Sequence, residues 1–133
     1  MKQKKNSSYC VACVAAMATN TTVAEFREFL NKKKGPYNDF DFYKYLVSKH
    51  YAVGVGFTKN GIDLKDKTAK CIINLSDYPA YVIVESQTKE KKLHAIYWDG
   101  KKVHDPNPAV KDGCELESYE IVNWFPITTT LVD

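Results

Sequence analysis

The sequence predicts an α+β domain, with helices in the first fifty residues packed on one side of an antiparallel sheet built from the remainder. Three observations carry that prediction. Residues 10–19, CVACVAAMAT, are small and apolar all round, the pattern of a buried helix. Between residues 22 and 50 apolar side chains recur at helical spacing. From Tyr51 onward the period shortens to two, and Asp99-Gly100 is a hairpin signal between two such runs. Helices first and strands afterwards give an α+β arrangement rather than alternating βαβ units.

Each element has its own local reason. Thr22-Val23-Ala24-Glu25 is a capping box opening a second helix, whose Val23, Phe26 and Leu30 lie at i, i+3 and i+7. That helix stops in Lys32-Lys33-Lys34-Gly35-Pro36. A third starts at Asn38 or Asp39, turns Phe42, Tyr43 and Leu46 inward, and ends near His50. Strands are expected over 51–58, 71–75, 80–86 and 93–98. A further strand, 101–105, returns from a two-residue turn at Asp99-Gly100 and stops at Pro106 and Pro108. One or two more lie within 118–131. Without repeats or a linker, residues 1–133 read as a single domain.

A chain of 133 residues is long enough for a core without disulfides or metals, and 44% hydrophobic content argues against disorder. The net charge of +3 and the single arginine, Arg27, disfavour a phosphate-tracking surface, so no specific nucleic-acid partner is expected. No run approaches the ~18 apolar residues of a membrane span. The opening MKQKKNSS lacks the apolar stretch of an export signal, so a cytoplasmic location with reduced thiols is expected for Cys10, Cys13, Cys71 and Cys114.

Free thiols must be explained by packing, metal or chemistry. Cys10 stands where the chain enters the first helix. Unpaired N–H groups and the positive dipole end favour thiolate there, and Lys4 and Lys5 push the same way. A thiolate needs a base, and His94, at the start of LHAIYW, is the candidate. The hairpin returns Asp105 to the neighbourhood of His94, where a carboxylate fixes the tautomer and leaves the other ring nitrogen for Cys10. Gln3 and the Cys10 backbone N–H have the chemistry of oxyanion donors. His104 competes for Asp105, but adjacent strand residues point to opposite faces. His50, at a helix end, reads as a capping interaction.

The stretches Q…CVACVAAM, LSDYPAYVIVES and HAIYWDGKKVHDP together resemble the C39 and C39-like branch of papain-fold cysteine peptidases. The resemblance spans residues 3–106. It implies a papain-like fold and a thiol hydrolase acting on a peptide or isopeptide bond. On it Cys10 takes the nucleophile position, His94 the base, Asp105 the orienting carboxylate and Gln3 the oxyanion glutamine, while Met17 falls on the family's methionine. It implies no cofactor and no metal. Two departures are visible: Val11 replaces the glycine that follows the nucleophile, and Gln3 lies one residue further from Cys10 than usual.

Other readings stand beside this one. Cys10 and Cys13 as half a zinc site need two more ligands, and no recognisable spacing supplies them. A thioredoxin-type pair normally follows a strand, and none precedes residue 10. Cys10 as a plain buried cysteine is the alternative to the nucleophile. Cys13, taken to face away from Cys10, is assigned to core packing. Asp105 before a proline could simply start a turn. A papain-fold module that binds protein without turnover is the alternative function, and a lysine-rich binding protein a weaker third. Trp98 and Trp124 are expected in the core and on the sheet. The oligomeric state is open.

Overall fold

The computed structural model describes residues 9–54, 57–58, 77–85, 92–108, 110 and 115–129. Gln3, Lys4, Lys5, the strand expected at 71–75, Cys71 and Cys114 lie outside the described residues. The architecture is α+β: three helices, α1 (Cys10–Thr19), α2 (Val23–Leu30) and α3 (Asp39–Ser48), precede the strands. The strands are β1 (Tyr51–Val53), β2 (Phe57–Thr58), β3 (Ala80–Glu85), β4 (Leu93–Trp98), β5 (Val103–His104) and β6 (Ile121–Thr129). Their order across the sheet is β1-β6-β3-β4-β5, all antiparallel, with β2 also paired to β6.

The helix boundaries follow local chemistry. α1 ends where Asn20 adopts the left-handed conformation (φ 56) and its N–H returns to the last turn, and Asn31 (φ 51) ends α2 in the same way. The start of α2 is capped by the Thr22 hydroxyl, which accepts from the Glu25 N–H. The complete reciprocal capping box belongs to α3, where Asn38 and Asp41 each hold the other's backbone N–H. In α3 the buried residues are Phe42, Tyr45 and Leu46, while Tyr43 is half-buried with its ring edge against Phe125. Tyr45 is preferred inside because its hydroxyl finds Thr21 at 2.6 Å, so its polar end is satisfied.

The three described helices pack on one face of the sheet. Their buried residues, among them Val11, Val14, Phe26, Phe42 and Leu46, form one core with Tyr81, Ile83, Ala95 and Ile127 of the strands. The opposite face carries a second core of Ala80, Val82, Val84, Ile96, Val103 and Trp124. It is closed by Leu116 and Tyr119, on and just after a 3-10 turn (Leu116–Ser118). Strand β3 is therefore buried on both faces, which explains the unbroken apolar run AYVIV. Trp124 is fully buried in this second core, and Trp98 packs against it half-buried.

Two expectations about strands need correction. The run 51–58 is not one strand; β1 and β2 pair separately with β6. The β4–β5 connection is four residues long, since Trp98 pairs with Val103 and Tyr97 with His104. Asp99 explains the longer loop: its carboxylate Oδ1 accepts the N–H groups of both Lys101 and Lys102 at 2.7 Å, and its own N–H reaches the Lys102 carbonyl. Gly100 sits in this loop at φ +98, with the Asp77 carbonyl 3.1 Å from where a Cβ would stand, so only glycine is unstrained.

Candidate functional site

The site forms where the start of α1 meets an open stretch of sheet edge. Strand β5 is only two residues long and pairs with Tyr97 and Trp98, and among the described residues no strand pairs with the earlier part of β4 on that side. The first turn of α1 fills the gap. Cys10 is the first helical residue, half-buried, and Ala95 of β4 offers it a backbone N–H. The Tyr9 side chain makes no capping bond and the first turn holds no acidic residue, so the positive end of the helix dipole favours a thiolate at Cys10. Tyr9, just before Cys10, is held by the Arg27 guanidinium 5.1 Å over its ring and by Tyr37.

His94 and Asp105 come together through the pleat. His94 alternates with Ile96 and Asp105 with Val103, so both stand on the face away from the helices. His94 Nε2 bonds Asp105 Oδ1 at 2.6 Å. The other ring nitrogen, Nδ1, is the one left for the hydrogen bond between His94 and Cys10. Asp105, 3% exposed, is saturated with donors: Oδ1 also accepts the Asn107 N–H at 2.8 Å, and Oδ2 accepts the Tyr119 hydroxyl at 2.7 Å. It is thus both a turn starter and the partner of His94.

The electrostatics follow from this packing. Burial pushes the Cys10 thiol up, but the His94 hydrogen bond and charge, with the Ala95 and Val11 N–H groups, outweigh it and bring the thiol below its ordinary value of 9.0. Burial works against the charged form of His94. Its bonds to Asp105 and Cys10 prevail and raise it to about 9. Burial likewise opposes the Asp105 carboxylate, and His94, Tyr119 and the Asn107 N–H hold it below the usual carboxylate range. Each shift favours the charged form, so the packing favours a row of alternating charges, thiolate, imidazolium and carboxylate.

The other residues singled out from sequence separate cleanly. His104 bonds Asp99 Oδ2 at 2.7 Å and faces the helix side beside Tyr97, away from Asp105. There it borders a cavity of ≈ 360 Å³ near the far end of α1. Cys13 is buried and its thiol is pushed up to about 11, chiefly by that burial and then by the charge of Cys10. Met17 is half-buried against the helix-side core. His50 sits just beyond α3 at φ 67, its N–H on the Val47 carbonyl. Val11 is turned into the helix-side core, so its side chain does not stand over the open side of Cys10. Among the described residues no group of three or more His, Cys, Asp or Glu is arranged to hold a metal, and no helix is long and apolar enough to cross a membrane.

Tyr119 and the Ala95 N–H were not foreseen. Tyr119 lies 14 residues beyond Asp105, and only the placement of the 3-10 turn against the second core brings it there. The Asn107 contact did have a signal, because an Asp before a proline commonly accepts the N–H two residues on. No family model matches the chain, and no curated protein is detectably similar to it in sequence.

Proposed function

We propose that this chain is a thiol hydrolase of papain-like fold, related to the C39-like peptidases, that cleaves a peptide or isopeptide bond. The observation that carries the reading is His94 held at 2.6 Å by a buried, triply bonded Asp105 while its other nitrogen serves a thiol at a helix N-terminus. A plain structural cysteine gains nothing from such an arrangement, and a lone strand histidine needs no saturated carboxylate.

In this reading the Cys10 thiolate attacks the scissile carbonyl, and the π electrons move onto oxygen to give a tetrahedral oxyanion. The Cys10 N–H and, by the resemblance, Gln3 are its donors. Collapse expels the amine, which takes a proton from His94 Nδ1 and leaves a thioester on Cys10. Neutral His94 then takes a proton from water, the resulting hydroxide attacks the thioester, and the thiolate departs with His94 again protonated. Asp105 keeps the ring oriented and supports its charge throughout. Val11 is turned into the core and so does not itself block Cys10, which favours turnover over a binding-only module.

The test is the rate of iodoacetamide labelling of each cysteine from acid to mildly alkaline pH, in wild type and His94→Ala, followed by screening of peptide libraries with Cys10→Ser as control. Fast labelling of Cys10 at neutral pH that is lost in His94→Ala, together with cleavage abolished in Cys10→Ser, supports the reading. A Cys10 that labels like an ordinary thiol of pKa ~8.5 in both proteins removes it.

A further inference from the structure

Cys13 has no part in the chemistry above, yet it lies one turn along α1 from the nucleophile. Three residues on a helix leave side chains on neighbouring positions of the surface rather than on opposite sides, so Cys13 does not face away from Cys10. The charge of Cys10 is felt at Cys13. Helical geometry sets the two Cα atoms about 5 Å apart, inside the 4.4–6.8 Å span that a disulfide bridges. The Cβ atoms, about 5–6 Å apart in a regular turn, must close by about 1–2 Å. The first turn is where a helix yields most readily, and the Tyr9 side chain does not cap it. The two thiols are also unequal. Cys10 is partly exposed and favours thiolate, while Cys13 is buried and stays protonated at neutral pH.

That asymmetry is what a reactive thiol and its resolving partner require. We infer that Cys10 and Cys13 form a peroxide-driven, thiol-reversible disulfide that switches the site off and shields Cys10 from irreversible oxidation. The first step is attack of the Cys10 thiolate on the O–O bond of a hydroperoxide. The sulfur is oxidised to the sulfenic acid, and the peroxide is reduced to the alcohol, or to water for hydrogen peroxide. In the second step the Cys13 sulfur attacks the sulfenic sulfur, its proton leaves with the hydroxyl as water, and the S–S bond forms. A dithiol reductant restores both thiols by exchange. With its sulfur in the bridge, Cys10 no longer accepts a hydrogen bond as thiolate from His94, and hydrolysis stops. The inference rests on the proposed reading only through the reactivity of the Cys10 thiolate, not through any substrate.

The experiment treats the full chain with hydrogen peroxide near neutral pH and follows the tryptic peptide Asn6–Arg27, which carries both cysteines. Wild type is expected to lose two hydrogens in this peptide and lose Cys10 labelling. Dithiothreitol then restores at least about nine-tenths of that labelling. Cys13→Ala, with Cys13→Ser as a second variant against a folding defect, is expected to gain two or three oxygens on Cys10 that dithiothreitol does not remove. A Cys71→Ser/Cys114→Ser protein should behave as wild type. The inference is overturned if wild type over-oxidises as fast as the Cys13 variants, or if Cys10 pairs with Cys71 or Cys114 instead. Rapid Cys10 labelling without the bridge overturns this inference alone. The bridge without any peptide cleavage overturns only the hydrolase reading.

Discussion

One hairpin carries two His–Asp pairs of nearly equal length, and they are built for different ends. His94 Nε2 to Asp105 measures 2.6 Å and His104 Nε2 to Asp99 measures 2.7 Å. The side chains of the first pair are 11% and 2% exposed, those of the second 41% and 32%. Among the described residues the buried carboxylate has donors from three segments, and its histidine reaches a thiol. Asp99 serves mainly its own loop, holding two successive N–H groups. Contact distance therefore does not separate the pairs. What separates them is burial, which makes each remaining interaction electrostatically stronger, and the presence of a third group that uses the histidine.

The largest expected effect tests that separation directly. His94→Ala removes the hydrogen bond and charge that overcome the burial of Cys10, so neutral-pH alkylation of Cys10 should fall by ~100-fold or more. His104→Ala should leave the rate within about twofold, because its ring lies on the other face. If the two substitutions slow labelling equally, the comparison is wrong.

Next in size is the pH profile of hydrolysis. His94 is raised above its ordinary 6.5 to about 9, so its proton is present through neutral pH and is lost as pH rises through about 9. Cleavage should decline there, since the leaving amine has no proton donor, while alkylation of Cys10 should not. Cys10 is lowered, so the acid limb should fall below the ordinary thiol range. Asp105→Asn removes the leading cause that raises His94, and the alkaline limb should move to lower pH. An unmoved limb would show that Asp105 does not set the titration.

How much of this was legible in the sequence depends on which interactions are local. The helices follow from small-residue composition and caps, which lie within a few residues of the backbone they satisfy. The hairpin shows why a wrong turn did little harm. A two-residue turn places Asp105 directly across from His94; the four-residue loop held by Asp99 shifts the pairing by two. A shift of two keeps every side chain on its face, whereas a shift of one sends Asp105 to the helix side. Tyr119 was not legible, because its contact depends on where a 3-10 turn docks on the second core. The preference for Tyr45 over Tyr43 inside α3 depended on a hydroxyl 24 residues away.

Tyr119→Phe gives a smaller effect with a sharper meaning. It removes one donor to a buried carboxylate without changing shape, and should cost about 1–3 kcal/mol of unfolding free energy. If Tyr119 positions Asp105, the alkaline limb of hydrolysis should also shift down, because a less firmly held carboxylate supports the imidazolium less. A loss of stability with an unchanged pH profile would reduce Tyr119 to a structural role.

The smallest effects belong to the exposed pair, and here the two partners should differ. His104→Ala breaks a solvent-accessible hydrogen bond to Asp99 and a ring contact with Tyr97, together worth about 0.5–1.5 kcal/mol. Asp99→Ala breaks that pair and also strips two backbone N–H groups of the 2.7 Å bonds that hold the four-residue loop, at a further cost of about 1–2 kcal/mol. Denaturant unfolding of both variants should show His104→Ala close to wild type, with Asp99→Ala clearly more destabilised. Were His104→Ala as costly as Asp99→Ala, the second pair would be holding the fold through His104. The loop would then not be the reason Asp99 stands where it does.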